Sequence, residues 1–229
     1  MNILAVGPHP DDIEFGCAPI LMKEVKRGNK VNLLVLSRGE AGSAGTPEGR
    51  ERESRNAAQL MGASVDFLDF AGDCRLQYTP ENAFRIAAEI RKVKPEIVIA
   101  PHPQENQHPD HAAAGRLVRD ACRFARYGGL EELKALPVHR IANLFFYNIT
   151  QHLLKPDIVV DIGDVLSEWE AVMNCHESQV GSNGYIELQK SGARLLGLTI
   201  GTEYALGLFA NDPMRLEAIS DLKLSSRSF

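Results

Sequence analysis

Short apolar, β-rich runs alternate along this chain with longer segments of helical periodicity, and that alternation limits the fold more than any other feature. Asn2–Gly7 (NILAVG) reads as a buried strand, 13–27 as a helix stopped by Gly28-Asn29, and 31–37 as a second strand. Residues 50–61 read as a helix with Gly62 just past its end, where a C-terminal glycine belongs. A short strand at 65–68 follows, then a helix over Pro80–Val93 with Thr79 as N-cap and Pro80 in its first turn, then a strand at 97–100. Helices at 110–126, 165–176 and 184–201 and strands at 144–147 and 158–162 complete the expected elements.

Strand–helix–strand units of this length require parallel pairing with right-handed crossovers. The expected class is therefore α/β: a Rossmann-like open, mainly parallel sheet with helices on both faces. No repeat, low-complexity tract or linker interrupts it, so residues 1–229 read as a single domain. Of the 229 residues, 44% are hydrophobic and 24% charged, enough apolar material for one sizeable core.

The formal net charge of −5 gives no electrostatic footprint for phosphate backbones or anionic membranes, so nucleic acid and membrane are not expected partners. No apolar run approaches the roughly 20 residues of a membrane span, and the start lacks the pattern of a signal peptide. The four cysteines form no CxxC pair. A cytoplasmic protein with reduced thiols is expected.

Ligands of open α/β sheets bind beyond the carboxyl ends of the strands. Three features point to that edge: His9-Pro10-Asp11-Asp12 after the first strand, the glycine-rich stretch 39–49 after the second, and His108-Pro109-Asp110-His111, preceded by His102, after the fourth. The glycine-rich stretch is also a candidate lid. Catalytic zinc favours three N/O protein ligands and one open position. His9 and Asp12 can approach one ion from the same side, and one histidine of the second motif would complete a His–Asp–His set. Zinc lowers the pKa of bound water to ~7 and polarises a carbonyl, but a carboxylate must take the water's proton and return one to the leaving group. Asp11, beside a ligand, is the natural candidate. The spare histidine, if protonated, suits the oxyanion of a tetrahedral intermediate. Taken singly, either motif has an ordinary reading as turn and helix-cap chemistry; the pair at one edge argues for a site.

The paired motifs resemble the LmbE-like family, also called the PIG-L or GlcNAc-phosphatidylinositol de-N-acetylase family. The resemblance implies that His9, Asp12 and His111 hold one zinc per chain, that Asp11 is the general base and then the acid, that His108 stabilises the oxyanion, and that Asp110 holds His108 in its protonated orientation. Iron(II), cobalt and manganese suit the same ligands. Within the family the chain resembles the bacterial N-acetylglucosaminyl malate deacetylases of bacillithiol synthesis. The implied substrate is a small N-acetylated amino sugar, with the malate conjugate favoured and N-acetylglucosamine or diacetylchitobiose as the alternative. Arg50 after Gly45–Gly49 and Tyr185 match substrate-binding positions, and His176–Gln179 matches a recurring segment. Close relatives carry arginine before HPDH, where this chain has Gln107; a glutamine cannot grip a malate carboxylate with two charge-assisted bonds. Relatives are often trimers or hexamers, so a homo-oligomer is expected.

Other residues carry plainer readings. His102 is a candidate pocket residue, His139 and His152 are loop or partner-facing histidines, and His176 has a packing or supporting role. Cys17 and Cys175 read as buried hydrophobes, while Trp169 fits either the core or a subunit contact. A nucleotide-dependent oxidoreductase is excluded: PHPDD stands where GxGxxG should, and its aspartates repel a pyrophosphate. A metallophosphatase needs more bridging carboxylates than the motifs supply. A non-catalytic metal- or carbohydrate-binding module uses the same pocket without needing a spare base, so Asp11 separates it from a hydrolase.

Overall fold

The computed structural model describes residues 1–104, 107–150, 155–221 and 225; the histidine at 152 lies outside the described residues. In chain order the elements are β1 (Asn2–Gly7), α1 (Asp12–Gly16), α2 (Ala18–Lys26), β2 (Lys30–Val35), α3 (Pro47–Met61), β3 (Ser64–Phe67), α4 (Pro80–Val93), β4 (Ile97–Pro101) and α5 (Pro109–Ala125). They continue with β5 (Asn143–Tyr147), β6 (Ile158–Asp161), α6 (Leu166–Asn174), α7 (Glu177–Asn183), α8 (Tyr185–Ile200) and β7 (Ala205–Ala210). The strands form one sheet in the order β3-β2-β1-β4-β5-β7-β6. The first five are parallel, and β7 runs antiparallel to both β5 and β6. The mainly parallel sheet read from the sequence is the one observed.

Both sheet faces are buried, so β1 shows no polar face, yet its side chains still alternate. Ile3 and Ala5 join a core with α1–α3, α6 and α8; Leu4 and Val6 join a second core with α4 and α5. Strand order reverses at β1: β2 and β3 extend to one side, β4 and β5 to the other. Such a switch point opens a crevice at the strands' carboxyl ends. HPDD follows β1 and HPDH opens α5 after β4, with His108 as its N-cap, so the fold delivers both motifs to that crevice.

One expectation needs correction, and two observed elements are not among those expected. The single helix over 13–27 is two, broken at Cys17, whose φ is −149°. Pro19 has no N–H to give Phe15, and its ring would strike that carbonyl in a continuous helix. The break also lets Gly16 lie against β5, where a Cβ would come within 2.4 Å of the Tyr147 ring. The strand β7 and helix α7 have no counterpart among the elements read from the sequence. Gly207 and two alanines weaken the strand signal of β7, but the glycine is required, since a Cβ there would meet Pro156 at 2.6 Å. Among the described residues no helix is long and apolar enough to cross a membrane.

The helix pair α4–α5 is tied by Arg91, which is 2% exposed. Its Nε donates to Ala125 O at 2.9 Å, and its Nη atoms donate to the carbonyls of Phe124, Tyr127, Leu133 and Leu136. One guanidinium thus satisfies the carbonyl end of α5. Arg91→Met should strand several buried acceptors and lower unfolding stability by about 3 kcal/mol. Urea denaturation would check this; a loss under about 0.5 kcal/mol would mean that solvent or relaxation replaces those bonds.

Candidate metal centre and active site

The turn after β1 is strained and held from outside. Asp11 has φ 113°, costly for a residue with a Cβ. The Arg50 guanidinium, from α3, donates to Pro10 O at 2.8 Å and lies 3.2 Å from Asp11 Oδ2. Ser37, after β2, donates its hydroxyl to Pro8 O at 2.8 Å. The turn opens α1, and Asp12 is its first residue.

The Asp12 carboxylate lies between two imidazoles. His9 Nδ1 is 3.0 Å from its Oδ2, and His111 Nε2, from the first turn of α5, is 3.2 Å from its Oδ1. The rings of His9 and His111 are 5.5 Å apart, and all three residues are buried. Two imidazoles and a carboxylate from distant segments thus meet in one buried cluster. Nitrogens of His9, His108 and His111 also lie within 4.8 Å of one another, as do donor atoms of His9, Asp73, His108 and Asp110. Asp12 belongs to neither of these donor sets, although each of its oxygens lies within 3.2 Å of a His9 or His111 nitrogen.

Electrostatics follow from this crowding. Burial opposes a charged His9, but Asp12, Asp110 and Asp73 outweigh it and hold the ring well above the usual imidazole range. Burial likewise opposes ionised Asp12, yet His111 and His9 keep it far below the usual carboxylate range. Asp11 behaves oppositely: burial and the Asp12 charge push it up to about 6, against the pull of Arg50. A fifth of its side chain stays open, enough to meet a ligand. Burial and the neighbouring His9 push His108 below its ordinary value.

His108 and Asp110 meet differently from the expectation. The Asp110 backbone N–H donates to His108 Nδ1 at 3.2 Å, so the neutral ring carries its proton on Nε2. The Asp110 carboxylate instead accepts from Cys74 N at 2.8 Å and lies 3.2 Å from His9 Nε2. A protonated His108 oriented by the Asp110 carboxylate is therefore not the arrangement found: the backbone amide has taken the nitrogen that the carboxylate would need.

A cavity of about 280 Å³ opens over this cluster. His9, Asp11, Asp12, His108 and His111 line it, as do Arg50, Gln107 and Tyr185, the three positions expected to meet substrate. Arg50 carries a qualification. It is 4% exposed, and its bonds to Pro10, Asp11 and Gly39 O tie the HPDD turn to the glycine-rich loop. Tyr185 begins α8 and packs edge-on against Phe15.

His102 sits outside the cavity, its ring 4.8 Å from that of Phe209. His139 bonds to Pro95 O at 2.7 Å. His176 is fully buried, 3.4 Å from Glu14. Trp169 belongs to the core and donates its indole N–H to Glu14 O at 2.8 Å. Cys17 is buried and Cys175 half-buried.

Asp73 is a member of the cluster that sequence reasoning does not reach. It lies between β3 and α4 in a turn with positive φ at Ala71, Gly72 and Cys74. Glu40 accepts the Asp73 amide at 2.9 Å. The turn brings Asp73 Oδ1 to 3.1 Å from His9 Nε2 and 3.7 Å from His108 Nε2. The one available signal is Ala71-Gly72-Asp73 beyond the third strand, at the same edge as both motifs. Cys74 Sγ, beside it, is 3.4 Å from His108 Nε2.

Comparison with known proteins agrees with this geometry. Residues 4–122 match the family model described as PIG-L: GlcNAc-PI de-N-acetylase. The chain belongs to that family. It is 32% identical to the diacetylchitobiose deacetylase of Thermococcus kodakarensis over 213 residues, covering 87% of this chain and 78% of that one. It is 28% identical to a probable N-acetyl-alpha-D-glucosaminyl L-malate deacetylase 2 of Bacillus cereus, over 78% of this chain and 83% of the other. The crystal structure of the conserved protein TT1542 from Thermus thermophilus superposes with a TM-score of 0.86 at 33% identity, covering 94% of this chain and 97% of that one. The protein is a deacetylase of the PIG-L family, a hydrolase acting on amides.

In metal-free protein, carboxyl ¹³C NMR should show one carboxylate titrating near pH 6 that disappears in Asp11→Asn. Its absence would mean that the Asp12 charge and burial do not act on Asp11 as described.

Proposed function

We propose that the protein is a zinc-dependent N-deacetylase that hydrolyses the acetamide of an N-acetylglucosamine derivative to free amine and acetate. The observation that carries this is Asp11: a carboxylate adjacent to the ligand Asp12, raised to about 6, and open to the cavity. A binding module has no use for such a group.

His9, Asp12 and His111 would hold the zinc. When bound there, the ion supplies Lewis acidity to water and to the acyl oxygen. Asp11, beside Asp12 and open to the cavity, takes the proton of the attacking water and returns one to the departing amine. Arg50 keeps that carboxylate aimed by bonding both its oxygen and the preceding carbonyl. His108, whose Nδ1 accepts the Asp110 amide, would offer its Nε2–H to the acyl oxygen as charge develops there, without a second proton.

The cavity also favours one substrate class. Its volume of about 280 Å³ falls just below the ~300–1,000 Å³ of drug-sized sites, which suits a single sugar ring with the aglycone outside. Asp11, Asp12 and Asp73 line it, and its arginine, Arg50, is committed to protein groups. Gln107 adds no charge. That balance supports a neutral N-acetylglucosamine or diacetylchitobiose over the malate conjugate. The malate conjugate is the second reading, favoured by the likeness to the Bacillus cereus relative.

Acetate release from N-acetylglucosamine, diacetylchitobiose, N-acetylglucosaminyl malate and an inositol-linked sugar tests the proposal. The neutral sugars should exceed the malate conjugate at least ~10-fold in kcat/KM, as one ion pair fewer would give. Asp11→Asn should keep its zinc and lose ~10²–10⁴-fold in kcat. Metal-loaded protein inert on all four would favour a binding module. Activity that survives complete chelation would contradict the mechanism.

A further inference from the structure

A second concavity, of about 750 Å³, opens at the far end of α5. The helix has 17 residues and so spans about 25 Å between the metal cluster and this groove. The groove is walled by the last turns of α5, the entry to β5, and the segment that follows β7. Five arginines line it: Arg119, Arg123, Arg126, Arg140 and Arg215. Among the described residues two acids, Asp120 and Asp212, accompany them. Asp120 is already engaged by Arg119 Nε at 3.2 Å and by the Tyr78 hydroxyl, and Asp212 accepts from Asn211 Nδ2 at 2.8 Å. This basic groove stands out on a chain whose net charge is −5.

The ordinary reason for cations at a helix C-terminus is to satisfy its carbonyls and dipole. Here Arg91 already does so, reaching the carbonyls of Phe124, Ala125 and Tyr127 from inside. Among the described residues Arg126, Arg140 and Arg215 form no ion pair; Arg126 lies over the Tyr127 ring, 5.4 Å from its centroid. Arg119, Arg123 and Arg126 recur at i, i+4 and i+7, one face of the helix. At 1.5 Å per residue their Cα atoms spread over about 10 Å. Guanidiniums bind phosphates and carboxylates in pairs of parallel bonds. A spread row of them suits separated anionic groups better than a single compact ion. Phe124 and Leu144 offer apolar contact to whatever joins those groups.

We propose that this groove binds a small polyanion, a carbon framework bearing two or more separated phosphate or carboxylate groups, at a site independent of the deacetylase chemistry. Calorimetric titration of the zinc-loaded protein at about 0.1 M salt, where exposed charges are largely screened beyond ~10 Å, would use four probes: fructose 1,6-bisphosphate, tricarballylate, inorganic phosphate and fructose. One of the first two should bind one-to-one, at least ~10-fold tighter than inorganic phosphate, which corresponds to ~1.4 kcal/mol; the tighter one identifies the anionic group. The exposed double substitution R126E/R140E should weaken that binding by at least the same factor, with melting temperature and acetate release unchanged. The proposal is overturned if neither bisphosphate nor tricarballylate binds more tightly than phosphate, or if the double variant binds as well as the parent chain.

Discussion

One carboxylate holds this site together. Asp12 faces His9 with one oxygen and His111 with the other, joining the end of β1 to the start of α5 across 99 residues of sequence. Three buried, ionisable groups cannot lie so close without mutual compensation. Here the imidazoles hold Asp12 far below the usual carboxylate range and the carboxylates hold His9 well above the usual imidazole range. A divalent cation bound there would supply positive charge to the same carboxylates in place of protons.

Around that centre the chain tolerates strain. Asp11, Ala71 and Cys74 all have positive φ without being glycine, and each stands in a turn that is clamped by a charged neighbour. Arg50 holds the Asp11 turn, while Glu40 and Asp110 accept the amides of Asp73 and Cys74. Such clamps fix the cavity wall at a cost of order 1–3 kcal/mol per strained residue. The same logic separates Asp11 from Asp12: adjacent in sequence, they point into different environments, one paired with imidazoles and one with a guanidinium.

The legible parts of this molecule are those written in local sequence. Thr79 and Pro80 mark the start of α4, and the Thr79 side chain does accept from Asn82 N. The two HPD motifs are visible because their residues are contiguous and because strand order places both at one edge. What stays hidden depends on contacts made in space. The Pro19 break is readable in principle but is masked by the apolar periodicity of 13–27. Arg50 resembles a substrate clamp in sequence, whereas its bonds to the Pro10 and Gly39 carbonyls give it a positioning role. Asp73 sits in no motif and reaches the site only because its turn is folded back by Glu40 and Asp110. β7 runs antiparallel, against the pattern of the other strands, and its Gly207 is set by Pro156 on a neighbouring segment.

The central claim is that His9, Asp12 and His111 form the metal site. Zinc-edge X-ray absorption on protein carrying one equivalent of zinc tests it most directly. The expected shell has two imidazole nitrogens and carboxylate or water oxygens at ~2.0–2.2 Å. A sulfur at ~2.3 Å, which would come from Cys74, or a third imidazole from His108, would contradict it.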